Sequence, residues 1–203
     1  MRADKLDKVI INSVISTLCA IAILCGIAFG LAVWLYPSTM MQISYEVGND
    51  SGAMKYAYRS YERTGEVYYL AYATEVAIGI DDCEDIEYYA EKFVADEDFS
   101  AYCAEIDGKM TVAGSYRQYI YGRLVVAEYD QGEKADAKTH AKEAIGDGFA
   151  ENNAFVALLF AAMEKGDAAT VSELVTEMRG IELADGGDKI YLQSLLEALE
   201  KLS

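Results

Sequence analysis

The sequence predicts an all-α protein in which an N-terminal transmembrane helix precedes an array of antiparallel helix hairpins, an α-solenoid. Three observations support this fold class. Proline occurs once among 203 residues, at Pro37, so almost nothing in the chain interrupts a helix. Runs of Val, Ile and Thr bounded by Gly or Asn turns, which are typical of strands, are absent after residue 36. Instead, marked turns separate long segments that carry apolar residues at helical spacing.

The first element is an apolar segment from Val9 to Tyr36 that is long enough to cross a bilayer. No residue from 9 to 45 is charged, and about 20 helical residues span a hydrocarbon core of about 30 Å. Trp34 and Tyr36 suit the membrane–water interface at the far end. The alternative is a cleaved signal peptide, which needs a shorter apolar core and a small-residue cleavage site. Because apolar sequence continues after Ala28, the sequence favours an uncleaved signal anchor.

The charges on either side of this span predict its orientation. Arg2, Lys5 and Lys8 directly precede it, and the first basic residue after it is Lys55. Since positive residues favour the cytoplasmic side, we expect a single-pass protein of the cell membrane whose domain is extracytoplasmic. The predicted segments are a short cytoplasmic N-terminus, a transmembrane helix and a helical domain, at residues 1–8, 9–36 and 38–203.

The part of the chain after the span is strongly acidic. Of 17 basic and 34 acidic residues, three basic and two acidic ones lie in residues 1–36, which leaves 14 and 32 beyond that point. The resulting net charge of -18 (14 minus 32) repels the phosphates of nucleic acids. We therefore expect no nucleic-acid partner, and an acidic domain instead suits a protein or peptide with basic residues.

A helix–turn–helix pattern recurs four times in the acidic domain. The turn residues are Gly48, Asp81, Gly132 and Gly166. Five, nine and twelve residues after each turn stand small or apolar side chains, namely Ala53, Ala57 and Ser60; Ile86, Ala90 and Phe93; Ala137, Ala141 and Ala144; Val171, Val175 and Met178. Residues at this spacing share one face of a helix, so they predict the seam along which two helices pack. Apolar stripes also occupy the preceding helices, at Leu70, Ala73, Thr74 and Ala77; Tyr121, Leu124 and Val125; Phe155, Leu158, Leu159 and Ala162.

Two segments fall outside these four units. The turn residues are 33, 51 and 34 positions apart, so an extra segment interrupts the array. Residues 96–110 predict one short helix and a turn at this place. Residues 189–202 carry apolar side chains at helical spacing and predict a terminal helix that caps the last unit.

A period of about 34 residues with two helices per unit resembles the tetratricopeptide repeat family. The resemblance covers most of residues 38–180 and is best in the segment AFVALLFAAMEKGDAATVSELVTEM at 154–178. This sequence departs from the family in two ways: Glu128 stands where an apolar residue is expected, and no unit ends in the proline often seen in the family. An irregular helical bundle is the alternative architecture.

In such arrays the first helix of each pair lines a concave binding face. The resemblance implies that this face consists of Tyr68, Glu75, Ile78, Tyr119, Val126, Tyr129, Asn153, Val156, Phe160 and Met163. Such a surface is aromatic, apolar and acidic, and it suits an extended or helical peptide with basic residues. The alternative is that these positions pack against the inserted segment.

No catalytic or metal-binding motif emerges from the sequence. His140 is the only histidine and has no second histidine or cysteine at ligand spacing, so we predict a packed or surface residue. The acidic run at 81–87 lacks the central glycine of a calcium loop and is typical of a helix N-terminus. We therefore expect no metal and no cofactor.

Four cysteines occur, two of them inside the apolar segment. The other two, Cys83 and Cys103, are 20 residues apart, the first before the irregular segment and the second within it, and a disulfide between them would fix it. The sequence leaves open whether they pair.

These features predict a membrane-anchored interaction module or scaffold rather than an enzyme. The layout of a short N-terminus, one span and an acidic repeat domain is similar to that of bitopic tetratricopeptide repeat proteins that assist bacterial protein export. We therefore expect a role in envelope protein assembly or export. The alternative is a membrane-tethered enzyme that uses a pocket of carboxylates and His140.

Overall fold

The computed structural model describes residues 2–109, 115–145, 153–183 and 186–202, and this part of the chain is all-helical, as predicted. Met110, the predicted last residue of the inserted segment, lies outside the described residues. Within these ranges the helices are α1 (Arg2–Leu35), α2 (Pro37–Glu46), α3 (Asp50–Thr64), α4 (Tyr68–Ile80), α5 (Cys83–Val94), α6 (Phe99–Lys109), α7 (Tyr116–Gln131), α8 (Lys134–Ala144), α9 (Ala154–Glu164), α10 (Ala168–Arg179) and α11 (Gly187–Leu202).

The N-terminal helix contains a stretch with the length and composition of a membrane span. Ser13–Leu35 is apolar over 23 residues, and none of it is buried against the rest of the chain. These are the properties of a membrane anchor or of a signal sequence. Pro37 occupies the first turn of α2, where its missing N–H group leaves no hydrogen bond unmade, so a new helix begins directly after Tyr36.

All four predicted turn residues adopt the left-handed backbone conformation that reverses a helix. The φ angles are 71° at Gly48, 57° at Asp81, 94° at Gly132 and 68° at Gly166. Glycine tolerates this conformation because it has no Cβ atom. In the described part of the chain, Asp81 is the one non-glycine residue that adopts it. The turns join the hairpins α2/α3, α4/α5, α7/α8 and α9/α10.

The predicted seams are buried in three of the four units. Ala137, Ala141 and Ala144 have no exposed surface, and the stripes that follow Gly48 and Asp81 are likewise buried. The last unit differs, because Val171 and Val175 are only half-buried. The buried face of α10 consists of Thr170, Leu174 and Met178, so the predicted register was wrong by one residue at two positions.

The inserted segment forms α6, which packs against the second and third units. The ring of Phe99 lies 4.8 Å from that of Phe93 on α5 and 5.9 Å from that of Tyr121 on α7. At the other end of the domain, Leu192 of α11 is 5 % exposed and belongs to the same core. The terminal helix therefore covers apolar surface of the last unit, as its sequence pattern predicts.

Candidate functional site

The ten residues predicted to line a concave face lie on or directly before α4, α7 and α9, the first helices of three successive hairpins. They differ in exposure. Glu75 is exposed, as are Tyr68 (48 %), Tyr119 (44 %) and Phe160 (53 %), and these side chains are available to a partner. Ile78, Val126 and Met163 are half-buried and border them.

The remaining three, Tyr129, Asn153 and Val156, are buried and do not line an open surface, which corrects the prediction. The Tyr129 hydroxyl donates to Asp167 Oδ2 at 2.9 Å and thereby ties α7 to the start of α10. Asn153 directly precedes α9, and its side chain accepts a hydrogen bond from the Phe155 N–H group at 2.8 Å. These side chains therefore stabilise the helix array.

Two further tyrosines adjoin this set, the exposed Tyr45 and the half-buried Tyr72. The ring centroids of Tyr45 on α2 and Tyr72 on α4 are 6.2 Å apart with an edge-on orientation. The ring centroids of Tyr72 and Tyr68 are 6.4 Å apart. Aromatic pairs with this spacing attract each other beyond their buried area. We call the exposed side chains of the first helices, with Tyr72 between them, the first-helix surface; it consists of Tyr45, Tyr68, Tyr72, Glu75, Tyr119 and Phe160.

Sequence reasoning could have found Tyr45. It stands three residues before the turn residue Gly48, at the position that Ile78 occupies before Asp81. With an exposure of 60 %, Tyr45 is more open to solvent than Tyr68, Tyr119 or Phe160. The position three residues before the turn residue, which is predicted to lie on the surface in the three later hairpins, is thus on the surface in α2/α3.

Helix α6 lies close to the middle of this surface. The hydroxyl of Tyr116 donates to Glu75 Oε1 at 2.6 Å, which joins α7 to α4. The ring of Tyr102 on α6 lies 6.2 Å from that of Tyr116, and burial, together with the charge of Glu75, raises the pKa of Tyr102 to about 12. At Glu75, the predicted surface therefore lies next to the inserted segment, which is the alternative arrangement.

The structure also joins two residues that the sequence singled out separately. His140 Nδ1 and Glu128 Oε1 are 2.6 Å apart across the α7/α8 hairpin. The Glu128 side chain has no exposed surface, whereas that of His140 is 20 % exposed. Glu128, the departure from the repeat pattern, is thus accommodated by the only histidine.

The pKa values of both groups are raised, that of Glu128 by burial and that of His140 by the short contact. Burial raises the pKa of Glu128, against the opposing effect of its hydrogen bond to His140. That hydrogen bond raises the pKa of His140, to which the carboxylates of Glu143 and Glu91 also contribute. Glu128 Oε2 is buried and accepts no hydrogen bond from the described residues. The pair is therefore sensitive to pH.

The contacts of His140 within the described residues are few. Glu128 is its hydrogen-bond partner within the described residues, and no serine or cysteine takes part in the contact. No group of three or more His, Cys, Asp or Glu side chains in the described ranges could hold a metal ion. In the acidic run at 81–87, Asp82 caps α5 by accepting hydrogen bonds from the N–H groups of Glu84 and Asp85 at 3.0 and 3.1 Å.

The cysteines outside the apolar segment are free thiols, so the disulfide that the sequence permitted is not formed. Cys83 lies near Asp130, at the end of α7, with 4.0 Å between its sulfur and Asp130 Oδ2. Cys103 is buried in the core near Tyr116, at the start of α7. The two ends of α7 are roughly 20 Å apart at 1.5 Å per residue, far beyond the reach of a disulfide.

No family model, no curated protein and no solved structure matches the chain in comparisons with all three.

Proposed function

We propose that this protein is a single-pass, membrane-anchored interaction module of the tetratricopeptide repeat type. Its first-helix surface binds a segment of another protein that carries basic residues. The protein acts as a scaffold in envelope protein assembly or export. The observation that carries this proposal is the presence of exposed aromatic side chains on the first helices of four successive hairpins.

The exposed aromatic side chains support a binding role, because removing their rings from water stabilises a complex with a partner that covers them. Tyr45, Tyr68, Tyr119 and Phe160 are each between 44 % and 60 % exposed. Tyrosine and phenylalanine are enriched at protein interfaces for this reason. Glu75 lies among them and carries a negative charge in a strongly acidic domain, which favours a basic partner.

The apolar stretch of α1 supports membrane anchoring. It exposes side chains such as Leu18, Leu24 and Phe29 that the domain does not cover, and a bilayer would cover them. An anchor confines the module to the membrane surface and so raises its concentration near other membrane proteins.

Cysteine labelling tests the orientation. Glu164 is exposed at the end of α9, so Glu164→Cys in a cysteine-free chain offers one accessible thiol. We expect a membrane-impermeant maleimide to label it in intact cells. Labelling that requires cell lysis would place the domain in the cytoplasm and contradict the proposed topology.

Co-purification from detergent-solubilised membranes tests the binding surface. We expect Tyr119→Ala and Phe160→Ala to lose at least tenfold of the bound partner, because each removes an exposed ring of the surface. Tyr88→Ala is the matched control, since Tyr88 is 46 % exposed but lies on α5, a second helix. Equal retention of the partner by all three variants, with helicity unchanged, would contradict the proposal.

A further inference from the structure

A cavity of about 610 Å³ lies where the apolar helix α1 meets α3. It is lined by Val33, Trp34, Pro37, Arg59, Glu62 and Arg63. Two arginines thus face the last turn of a helix that has the properties of a membrane span. This position is separate from the first-helix surface and from the Glu128–His140 pair.

Arg63 holds the end of α1 against the domain. Its Nη1 atom donates to the carbonyl oxygen of Trp34 at 3.3 Å and to that of Leu35. The last carbonyls of a helix lack donors from the helix itself, and α1 has no basic residue in its own last turn. Since a guanidinium group carries five N–H donors, the remaining ones of Arg63 stay available for another acceptor.

Arg59 stands one helical turn before Arg63 and so shares its face of α3. Its guanidinium carbon lies 5.7 Å from the centre of the Tyr56 ring. Within the described ranges neither arginine forms an ion pair. With Glu62 as the one acidic lining residue, the cavity carries a net charge of +1 in an otherwise acidic domain.

The cavity lies at the depth of the lipid headgroups if α1 crosses a bilayer. The apolar stretch ends at Leu35, and Trp34 beside the cavity is 75 % exposed. Tryptophan favours the membrane–water interface, where its ring meets both headgroups and acyl chains. The two arginines therefore stand where lipid phosphates are concentrated.

We infer that this cavity binds the phosphate group of an anionic phospholipid through Arg59 and Arg63. The inference rests on the proposed anchoring of the chain by α1. The planar fork of a guanidinium group matches two phosphate oxygens, and the cavity charge of +1 complements a headgroup of charge -1. Val33, Trp34 and Pro37 supply apolar contacts for the carbon atoms next to the phosphate. A lipid bound here fixes the domain relative to the membrane surface.

Trp34 provides the test because it is the only tryptophan of the chain. The full chain is reconstituted into vesicles of phosphatidylcholine with a minor fraction of phosphatidylglycerol. Bromine, which quenches tryptophan fluorescence on contact, is carried by phosphatidylglycerol in one sample and by an equal fraction of phosphatidylcholine in the other. We expect brominated phosphatidylglycerol to be enriched about fivefold near Trp34, the scale of one arginine at an anionic lipid surface.

The variants distinguish the site from the general charge of the domain. Arg59→Gln is expected to remove the enrichment while it keeps the contact of Arg63 with α1. Lys55→Gln makes the same charge change one turn before Arg59 on α3, outside the cavity, and is expected to retain the enrichment. The acidic domain by itself repels anionic lipid, so enrichment cannot come from net charge.

The remaining outcomes separate this inference from the proposed anchoring. Equal quenching by both brominated lipids leaves the anchor in place and overturns the phosphate site. Enrichment that millimolar inorganic phosphate abolishes identifies a soluble anion as the ligand and overturns the assignment to lipid. Absence of quenching by either lipid places α1 outside the bilayer and overturns both.

Discussion

The hairpins α7/α8 and α9/α10 place different side chains at equivalent positions between their two helices. In α7/α8, Glu128 lies four residues before the turn glycine and His140 lies eight residues after it. The same two positions of α9/α10 are occupied by Ala162 and Leu174. Glu128, Ala162 and Leu174 are all fully buried. The comparison shows that a helix hairpin of this fold accepts a buried carboxylate where the opposite helix supplies a hydrogen-bond partner. It also predicts that the two hairpins respond differently to substitution and to pH.

The largest effect is expected from His140→Ala, measured at pH 6, where the contribution of His140 to stability is complete. The substitution leaves the Glu128 carboxylate buried without its partner, and breaking a buried pair in this way costs about 3–5 kcal/mol. The measurement is the free energy of unfolding of the full chain in detergent micelles, from urea titration followed by circular dichroism.

Lys142→Ala on the same helix is the control for this prediction. Lys142 pairs with Glu177 at 3.1 Å, but its side chain is 54 % exposed, and surface pairs contribute about 1 kcal/mol or less. If His140→Ala lowers the free energy of unfolding no more than Lys142→Ala does, the buried pair does not stabilise the hairpin.

Leu174→Ala is the corresponding test in the apolar hairpin. Leu174 has no exposed surface, so its truncation removes buried methyl groups and leaves a cavity, with an expected cost of about 3 kcal/mol. Unlike the cost of His140→Ala, this one is expected to be the same at pH 6 and pH 8. Ser172→Ala, at an exposed position of α10, is the control, and a pH-dependent cost of Leu174→Ala would contradict the comparison.

A smaller effect is expected from pH on the unsubstituted chain. The folded-state pKa of His140 is raised above its ordinary value of 6.5 by the hydrogen bond to Glu128, so its contribution to stability is complete below pH 6.5 and is lost as pH rises through the raised value. Burial raises the pKa of Glu128 above 4.5 and that of Glu87 to about 6, and both changes act in the same direction. The midpoint of urea unfolding should therefore decrease from pH 6 to pH 8. An increase over this range would contradict the structure of the pair.

The smallest change in stability is expected when α7/α8 receives the residues of α9/α10. The double variant Glu128→Ala with His140→Leu replaces a buried ionic pair by apolar side chains. Such replacements are neutral or stabilising, here by up to about 2 kcal/mol. The variant should also lose the part of the pH dependence above pH 6.5. A destabilised double variant would show that α7/α8 is shaped specifically for the polar pair.

The features that the sequence predicts well are those set by local spacing. The left-handed turns follow from three glycines and Asp81, and the alanines after Gly132 predict a close helix contact because their side chains are small. Both depend on residues near one another in the chain. The all-α fold and the inserted helix α6 follow from the same kind of reasoning.

Features that depend on how one helix is rotated against another could not be predicted. The contact between Glu128 and His140 requires both helices to turn these side chains toward the same space. In the sequence, Glu128 only departs from the apolar pattern and His140 is only an isolated histidine, so neither residue indicates the other. A rotation of α10 by one position likewise buries Leu174 and half-exposes Val175. Asn153 does not lie on the predicted surface, because α9 begins one residue later and the Asn153 side chain caps it.

The most direct test of the proposed interaction surface is photo-crosslinking in membranes from positions of matched exposure. A photoreactive phenylalanine derivative replaces Tyr68, Tyr119 or Tyr88, whose side chains are 48 %, 44 % and 46 % exposed. The first two lie on first helices and the third on a second helix. We expect one partner protein to be crosslinked from positions 68 and 119 and not from position 88. Crosslinking of the same partner from position 88 alone would contradict the assignment of the first-helix surface.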